Sequence, residues 1–253
     1  MTDVEMNRAL TFGQVADEYD RWRASYPDAA VDWLAPSSPA RVADVGAGTG
    51  KLTSLLLARG LTVEAVEPDP RMLAVLARNN PDAGLHQCDS TSIPVEDGSL
   101  DAVLAADAWH WFDVEATIIE LRRVLKPGAW LGLVWNPVLP PIEPWELDLA
   151  GLNPYKINRD KKPSTDTDRP FPEDELEFAR FAWEWKLTPE HFAAKLATNS
   201  AVIAMSPQER QEHLTAVRSL LQQHCDATGI PALPFRFEAS CTRWTPKPSH
   251  TQI

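Results

Sequence analysis

Residues 41–67 read RVADVGAGTGKLTSLLLARGLTVEAVE and contain a strand, a turn, a helix and a second strand in that order. The two apolar runs are short, and the stretch between them has helical periodicity. Such an alternation predicts parallel strands joined by a right-handed crossover. Gly46 and Gly48 lack a Cβ, so the turn can bring backbone N–H groups close to a bound molecule. The sequence therefore predicts an α/β fold with a ligand site at this turn.

The acid at the end of the second run restricts the ligand. Glu67 follows Gly46 by 21 residues, a separation at which a carboxylate can accept hydrogen bonds from both ribose hydroxyls. A dinucleotide fingerprint would need glycine in place of Lys51, and a phosphate-binding P-loop would need glycine in place of Val45. The P-loop is therefore excluded, and a nicotinamide cofactor is a weaker alternative. Asp44 would oppose a pyrophosphate but suits an ammonium or a sulfonium.

Four motifs carry a resemblance to a known family. They are DVGAGTG at 44–50, VEPDPRML at 66–73, the acid Asp89, and DAVLAADAWHWF at 101–112. In order and spacing they resemble the class I S-adenosylmethionine-dependent methyltransferases. The likeness is closer to the small-molecule branch grouped as methyltransferase type 11, which includes trans-aconitate-type enzymes, and covers roughly residues 10–136.

The resemblance implies a fold and a reaction. The fold would be Rossmann-like and doubly wound, with a seven-stranded, mostly parallel sheet whose last strand is antiparallel. An N-terminal cap helix and a proline-rich lid insertion would be added to it. The cofactor would be S-adenosyl-L-methionine, with S-adenosyl-L-homocysteine as the product.

The resemblance also implies which residues bind the cofactor. Backbone groups of the turn would cradle its methionine part, Glu67 would bind the ribose, and Asp89 would accept a hydrogen bond from the adenine amino group. The leading helix, within residues 15–27, would fold over the cofactor. The residues implied are Tyr19, Arg23, Asp44, Gly46, Ala47, Gly48, Gly50, Glu67, Pro68, Met72, Asp89, Ser90, Asp107 and Ala108.

The turn after the fourth strand is where the resemblance places methyl transfer. His110 in this turn is the candidate general base, which is needed only if the acceptor must lose a proton. A histidine between two tryptophans also suits a packed wall of the site. Aromatic rings would favour a planar acceptor and attract the sulfonium, although the same tryptophans also suit a core. The candidate substrate-pocket residues are Tyr26, Trp109, Trp111 and Trp135.

No metal site is predicted. His86, Cys88 and Asp89 would alternate sides on a strand and so cannot converge on one ion. Cys88, Cys225 and Cys241 contain no C-x-x-C pair and are odd in number, which suggests neither a disulfide framework nor a zinc ribbon.

Charge and apolar patterning indicate the partners. The chain has 36 acidic and 24 basic residues, and its net charge of −12 repels a phosphate backbone. A small-molecule acceptor is therefore expected, and no nucleic acid. The first ten residues have neither a basic start nor an apolar core, and the apolar stretch at 129–135 is too short to cross a bilayer. We expect a cytoplasmic protein without a membrane partner, as a monomer or homodimer.

The chain is expected to form one methyltransferase domain, residues 1–253, in four parts. Residues 1–35 would form N-terminal cap helices, and 36–136 the cofactor-binding core. Residues 137–176 would form a lid or loop insertion, and 177–253 the C-terminal strands and helices that complete the sheet. Eight of the 22 prolines lie in the third part, which favours a long loop over core.

Local signals predict further elements. Asp69 before a proline, Asp113, and the capping box at 206–209 each predict the start of a helix. Residues 178–187 alternate aromatic with smaller or charged side chains and predict a strand with one buried face. A final strand is predicted at 235–245.

Two alternative functions stay open. An NAD(P)-dependent oxidoreductase needs the same fold and ribose carboxylate, and a non-catalytic S-adenosylmethionine-binding protein needs the fold without the reaction. The acceptor atom stays open among carboxylate, hydroxyl, amine and carbon, with the resemblance favouring a carboxylic acid. The possible anchors for a carboxylate are Arg23, Lys156, Arg159 and Arg169.

Overall fold

The computed structural model describes residues 12–152 and 171–247, which are built around a seven-stranded sheet. Its strands are β1 (Arg41–Val45), β2 (Thr62–Val66), β3 (Gly84–His86), β4 (Leu100–Ala106), β5 (Leu125–Trp135), β6 (Leu176–Leu187) and β7 (Leu233–Trp244). Their order is β3-β2-β1-β4-β5-β7-β6. The first five pair in parallel, whereas β7 runs antiparallel to both β5 and β6. The predicted Rossmann-like fold is confirmed, and β6 forms the edge beyond β7.

Helices cover the sheet, and several begin where the sequence places a cap. They are α1 (Ala16–Trp22), α2 (Asp28–Leu34), α3 (Lys51–Leu57), α4 (Pro70–Asn79), α5 (Val114–Val124), α6 (Pro144–Gly151), α7 (Pro189–Ala197), α8 (Ser200–Ile203) and α9 (Pro207–Thr228). The Asp69 carboxylate accepts a hydrogen bond from the Arg71 N–H at 2.9 Å, and Asp113 caps α5 in the same way. Ser206 and Glu209 form the predicted capping box of α9. These caps confirm the predicted helix starts.

Apolar side chains pack on both faces of the sheet. Successive strand residues point to opposite faces, so Val45 and Val103 join one buried cluster while Val42 and Leu104 join the other. A third cluster lies between β6, β7 and the helices α6 and α9. This packing fixes the carboxyl ends of β1, β2, β4 and β5 along one edge, where α/β sheets bind their ligands.

The predicted lid is not entirely a loop. Its residues 144–151 form α6, whose Trp145 is 6% exposed and packs in the third cluster. Phe171 is also buried, and its ring stacks on Trp244 with centroids 4.4 Å apart. Proline at the start of α6 is compatible with a helix because its missing N–H is unpaired there anyway. The number of prolines is thus a poor indicator of burial in this segment. Residues 153–170, which include the predicted anchors Lys156, Arg159 and Arg169, lie outside the described residues.

The described residues contain neither a spanning helix nor a metal-ligand cluster. No helix in residues 12–152 or 171–247 has the length and apolar composition that a bilayer crossing requires. Within the same two ranges, no three His, Cys, Asp or Glu side chains converge on one point. The thiols of Cys88, Cys225 and Cys241 are free.

Candidate functional site

A cavity lies at the carboxyl ends of β1, β4 and β5, where the glycine-rich turn faces α1, α7 and β7. We call it the central cavity. Residues distant in the sequence form its wall, because the sheet order brings β7 beside β5. The lining residues are Tyr19, Arg23, Ala24, Tyr26, Asp44, Gly46, Ala47, Gly48, Thr49, Lys51, Leu52, Ala106, Asp107, Asn136, Lys195 and Phe237.

The glycine-rich turn forms one wall of the cavity. Gly46 and Gly48 have φ angles of 68° and 58°, in the left-handed region that favours glycine. A Cβ on Gly46 would lie 2.6 Å from the Cβ of Ala108, so this position has no room for a side chain. The Gly46 and Ala47 N–H groups donate to the Val66 carbonyl at 2.9 and 3.1 Å. This corrects the expectation that these two amides point at a ligand: what Gly46 and Gly48 offer the cavity is backbone that no Cβ covers.

Glu67 points toward the turn. Its Oε2 accepts a hydrogen bond from the Gly48 N–H and its Oε1 one from the Asp69 N–H, each at 2.9 Å. The side chain is buried, and burial raises the pKa of this carboxyl. Each carboxylate oxygen can accept a second hydrogen bond. Glu67 can therefore hold the turn and still accept hydrogen bonds from ribose hydroxyls.

The N-terminal segment covers this side of the site. Ala16 packs with Met72 and Val75 in a small apolar cluster, and Tyr19 packs against it. The Lys51 Nζ on α3 donates to the Asp20 carbonyl at 2.6 Å, which ties α1 to the turn. As a result, Met72 and Glu67 lie beneath the segment that begins at residue 12.

Two buried oxygens beside the cavity have no hydrogen-bond partner among the described residues. Asp44 Oδ2 accepts a hydrogen bond from the Thr53 hydroxyl at 2.6 Å, but Asp44 Oδ1 and the Thr49 hydroxyl are unpaired. Both residues are at most 2% exposed. Burial raises the pKa of Asp44 to about 7. A cationic ligand group that can donate hydrogen bonds would supply the missing partner, so the site fits an amino-acid ammonium.

Asp107 lines the cavity directly after β4 and has an unusual backbone. Its φ of 51° is the only positive value at a non-glycine residue of the described chain. The Tyr26 hydroxyl donates to Asp107 Oδ2 at 3.0 Å, and the Asn136 N–H donates to Oδ1 at 3.2 Å. Asp107 is exposed toward the cavity, yet desolvation by the surrounding protein raises the pKa of its carboxyl. A strained backbone held by hydrogen bonds is typical of a functional position.

The cavity also contains Lys195, which sequence reasoning missed. It lies on α7, and its Nζ is 5.7 Å from the centroid of the Phe237 ring on β7. Burial lowers the pKa of Lys195 to about 8. The available signal was weak: a lysine inside the apolar stretch FAAKLA at 192–197. Asn136 and Thr49 were missed as well, although Thr49 lies inside the glycine motif.

Other predicted cofactor residues lie near β2 and β3, outside the cavity wall. Asp89 is exposed and accepts hydrogen bonds from the N–H and hydroxyl of Thr91 at 2.8 and 2.6 Å. The Ser90 hydroxyl lies 2.7 Å from that of Thr117 on α5, so its side chain faces away from the site. Pro68 is exposed. Gly50 lies instead in the turn after β1, where it is the N-cap residue before α3 and has a φ of 89°.

The predicted tryptophan wall is not formed. Trp109 is 5% exposed and packs in the core against Phe112 and Phe171, with ring centroids 5.6 Å apart in both pairs. Trp135 packs against the same core. The short 3₁₀ turn at 109–111 directs Trp109 into the sheet. Core packing therefore accounts for the aromatic pattern better than an acceptor pocket does.

His110 and Trp111 follow Trp109 in the same turn. The His110 side chain is exposed, and its ring centroid lies 4.6 Å from that of Trp111. Partial desolvation lowers the pKa of His110, against the opposing effect of Asp107. Neither residue lines the central cavity. Two other predicted site residues, Tyr26 and Asp107, do line the central cavity.

Comparison with known proteins agrees with this geometry. Residues 43–133 match the family described as "Methyltransferase domain". An uncharacterised methyltransferase of Mycobacterium tuberculosis is 39% identical over 246 residues, which cover 97% of this chain and 99% of the relative. The demethylmenaquinone methyltransferase of Thermus thermophilus is 37% identical over 142 residues, covering 53% of this chain and 61% of the relative.

A solved structure extends the comparison to the fold. The protein from Anaeromyxobacter dehalogenans, named as a proposed type II methyltransferase, is 28% identical with a TM-score of 0.65. The match covers 87% of this chain and 96% of that chain. From the near full-length relative, the matched domain and the order of the seven strands, the chain belongs to the class I S-adenosylmethionine-dependent methyltransferases.

Proposed function

We propose that this protein transfers a methyl group from S-adenosyl-L-methionine to a small-molecule acceptor in the central cavity. One observation carries the proposal. The unpaired oxygens of Asp44 and Thr49 lie at a turn in which Gly46 and Gly48 carry no Cβ, and Glu67 is bonded to that same turn. A cation-preferring pocket next to a ribose-binding carboxylate suits this cofactor better than a dinucleotide.

Different residues of the chain would bind different parts of the cofactor. Asp44 and Thr49 would hold the ammonium of the methionine part, and Arg23, directly after α1, its carboxylate. Glu67 would accept hydrogen bonds from the ribose with its remaining lone pairs. Met72 would pack on the adenine, with Asp89 at its edge.

Catalysis then depends mainly on position. When bound, the cofactor supplies a methyl group on a sulfonium, which is already an activated leaving group. The chain has to align the acceptor atom behind that methyl carbon and keep water out, and such alignment can contribute on the order of 7–11 kcal/mol. Tyr26, Asp107 and Asn136 form a bonded set that can orient the acceptor. A proton acceptor is needed only if the acceptor must lose a proton.

The acceptor of a relative does not identify the acceptor of this protein. The Thermus relative acts on demethylmenaquinone, but its match covers only 53% of this chain. The net charge of −12 supports a small acceptor over nucleic acid. We further propose a cytoplasmic location for the reaction, because this cofactor is made and used inside cells.

Labelled product identifies the reaction. The pure protein is incubated with S-adenosylmethionine carrying a labelled methyl group and with a metabolite extract, and labelled products are separated and identified. We expect one labelled small molecule that is absent when the Asp107→Asn variant replaces the wild type. Cofactor binding without any labelled product would instead favour the non-catalytic alternative.

A further inference from the structure

We infer that Lys195 recognises a negatively charged group on the acceptor, so that the acceptor is an anionic small molecule. This inference rests on the proposed function and deepens it. It assigns Lys195 as the residue that determines acceptor specificity, on the wall of the central cavity that faces the glycine-rich turn.

Within residues 12–152 and 171–247, no carboxylate forms a hydrogen bond or an ion pair with the Lys195 ammonium. Among the described residues, its Nζ makes no hydrogen bond and no ion pair, and its near neighbours are the rings of Phe192 and Phe237, with centroids 6.0 and 5.7 Å away. Lys195 keeps part of its surface exposed where it lines the cavity, while the protein atoms packed around it desolvate the ammonium. A partly desolvated ammonium without hydrogen-bond acceptors is costly, and a ligand that brings acceptors would relieve that cost.

A second cation reinforces the positive potential. Arg23 lines the same cavity, where its Nε donates to the Thr198 hydroxyl at 3.0 Å and its Nη2 to the Thr198 carbonyl at 3.1 Å. Thr198 follows α7, so Arg23 is held beside the helix that carries Lys195. The Arg23 charge disfavours a second positive charge on Lys195, and Asp107 only partly offsets it. An anionic acceptor group at Lys195 would offset the repulsion that Lys195 experiences from Arg23.

Asp107 does not satisfy Lys195. Among the described residues it forms neither a hydrogen bond nor an ion pair with Lys195, although its charge raises the pKa of the lysine; its two carboxylate oxygens accept hydrogen bonds from the Tyr26 hydroxyl and the Asn136 N–H, at 3.0 and 3.2 Å. Those contacts hold the carboxylate toward α2 and the end of β5. The lysine is therefore left for a ligand.

The position of Lys195 favours the acceptor over the cofactor. The groups suited to the methionine part, Asp44 and Thr49, belong to β1 and its turn, and Arg23 directly follows the covering helix α1. Lys195 instead comes from α7 and packs against Phe237 of β7. We call Tyr26, Asp107, Asn136, Lys195 and Phe237 the acceptor side of the cavity, and the turn with Asp44, Glu67 and Arg23 the cofactor side.

The test separates acceptors by charge before they are identified. A bacterial metabolite extract is divided by ion exchange into anionic, neutral and cationic fractions, and each is assayed with labelled cofactor. We expect the methyl-accepting activity in the anionic fraction. Lys195→Met should raise the KM for that fraction by about tenfold or more, because one charge partner is lost. Lys195→Arg should restore most of it.

Two controls separate this inference from the proposed function. Lys186→Met on β6 removes an exposed lysine and should leave the KM unchanged. S-adenosylhomocysteine binding, measured by calorimetry, should be equal in wild type and Lys195→Met. Absence of that binding in the wild type would contradict the proposed function itself.

Three results would overturn the role of Lys195. They are activity confined to the neutral or cationic fraction, an unchanged KM in Lys195→Met, and a loss of S-adenosylhomocysteine affinity that places Lys195 on the cofactor side.

If no fraction accepts a methyl group, citrate and inorganic phosphate are titrated into protein saturated with S-adenosylhomocysteine. Equal or absent binding of both anions by wild type and Lys195→Met would also reject the inference, and a preference between them would distinguish carboxylate from phosphate.

Discussion

The cofactor side and the acceptor side of the cavity are built in different ways. The cofactor side comes mostly from residues 44–50 and Glu67, and it depends on backbone shape and on hydrogen bonds to backbone N–H groups. The acceptor side brings together Tyr26, Asp107 and Lys195, three residues far apart in the chain, through their side chains. A single sequence shows the first kind of site because its parts are local. For the second kind, Tyr26 was a predicted pocket residue and Asp107 a predicted cofactor residue, but their position with Lys195 around one cavity becomes visible only when the strand order is known.

The largest effect is expected from a substitution at Gly46, where the cofactor side has no room for a side chain. Gly46→Ala should lower the free energy of unfolding by roughly 1–2 kcal/mol for the left-handed backbone and a further 1–3 kcal/mol for the contact with Ala108. Gly128→Ala is the matched control, since its φ is 80° but a Cβ would meet nothing within 4 Å. Urea denaturation measures both. Equal losses in the two variants would show that the turn is not tightly packed.

The ribose carboxylate should give the next largest effect. Glu67→Gln should weaken S-adenosylhomocysteine binding by about 10- to 100-fold, because a charged hydrogen-bond acceptor is lost. Glu64→Gln on the same strand is the control, since Glu64 pairs with Arg41 and His86. Calorimetry compares the two, and equal affinities would overturn the ribose assignment. Glutamine keeps an acceptor oxygen for only one of the Gly48 and Asp69 N–H groups and turns its NH2 group toward the other; alanine at position 67 is a poorer test still, because it would leave both N–H groups unpaired and so cost more stability.

The pH dependence of binding tests Asp44. Its pKa of about 7 in the folded protein means that a cationic group binds only after the carboxyl loses its proton. The affinity for S-adenosylhomocysteine should therefore fall by about tenfold per pH unit below 7 and level off above it. Asp44→Asn should remove this dependence.

The Asp44 carboxyl also makes the stability of the folded protein depend on pH. The sign is opposite to that of binding, because stability falls as pH rises. The folded protein holds this proton more tightly than the unfolded chain, so the Asp44 contribution to the free energy of unfolding falls as pH rises from 3.8 to about 7. Denaturation of wild type and Asp44→Asn at several pH values measures it. A wild-type curve parallel to that of the variant would argue against the raised pKa.

The smallest effect should come from the acceptor side. Tyr26→Phe removes the hydroxyl that donates to Asp107, and kcat/KM should fall by about two- to tenfold because one hydrogen bond is lost. S-adenosylhomocysteine affinity should stay the same. A matching loss of that affinity would place Asp107 on the cofactor side and weaken the distinction between the two walls.

Local chemistry explains what the sequence predicted. The caps at Asp69, Asp113 and Ser206 form because a side-chain oxygen satisfies an N–H group in the first turn, a short-range effect that needs no tertiary information. The motif order, through its family resemblance, gave the seven-stranded sheet. The position of Glu67 beside the turn likewise follows from a spacing within one strand–helix–strand unit.

Tertiary contacts explain what the sequence did not predict. Trp109 looked suitable for a pocket, but a short turn places it in the core. Phe171 lies in a proline-rich segment and is nevertheless buried against Trp244. Lys195 reaches the cavity because α7 packs near β7, a contact that no local pattern encodes.

Calorimetry of the wild-type protein with S-adenosylhomocysteine and with NAD tests most directly whether the central cavity is a cofactor site for methyl transfer. We predict that S-adenosylhomocysteine binds at one site per chain and that NAD neither binds nor competes with it. Tight binding of NAD, with no binding of S-adenosylhomocysteine, would contradict this interpretation.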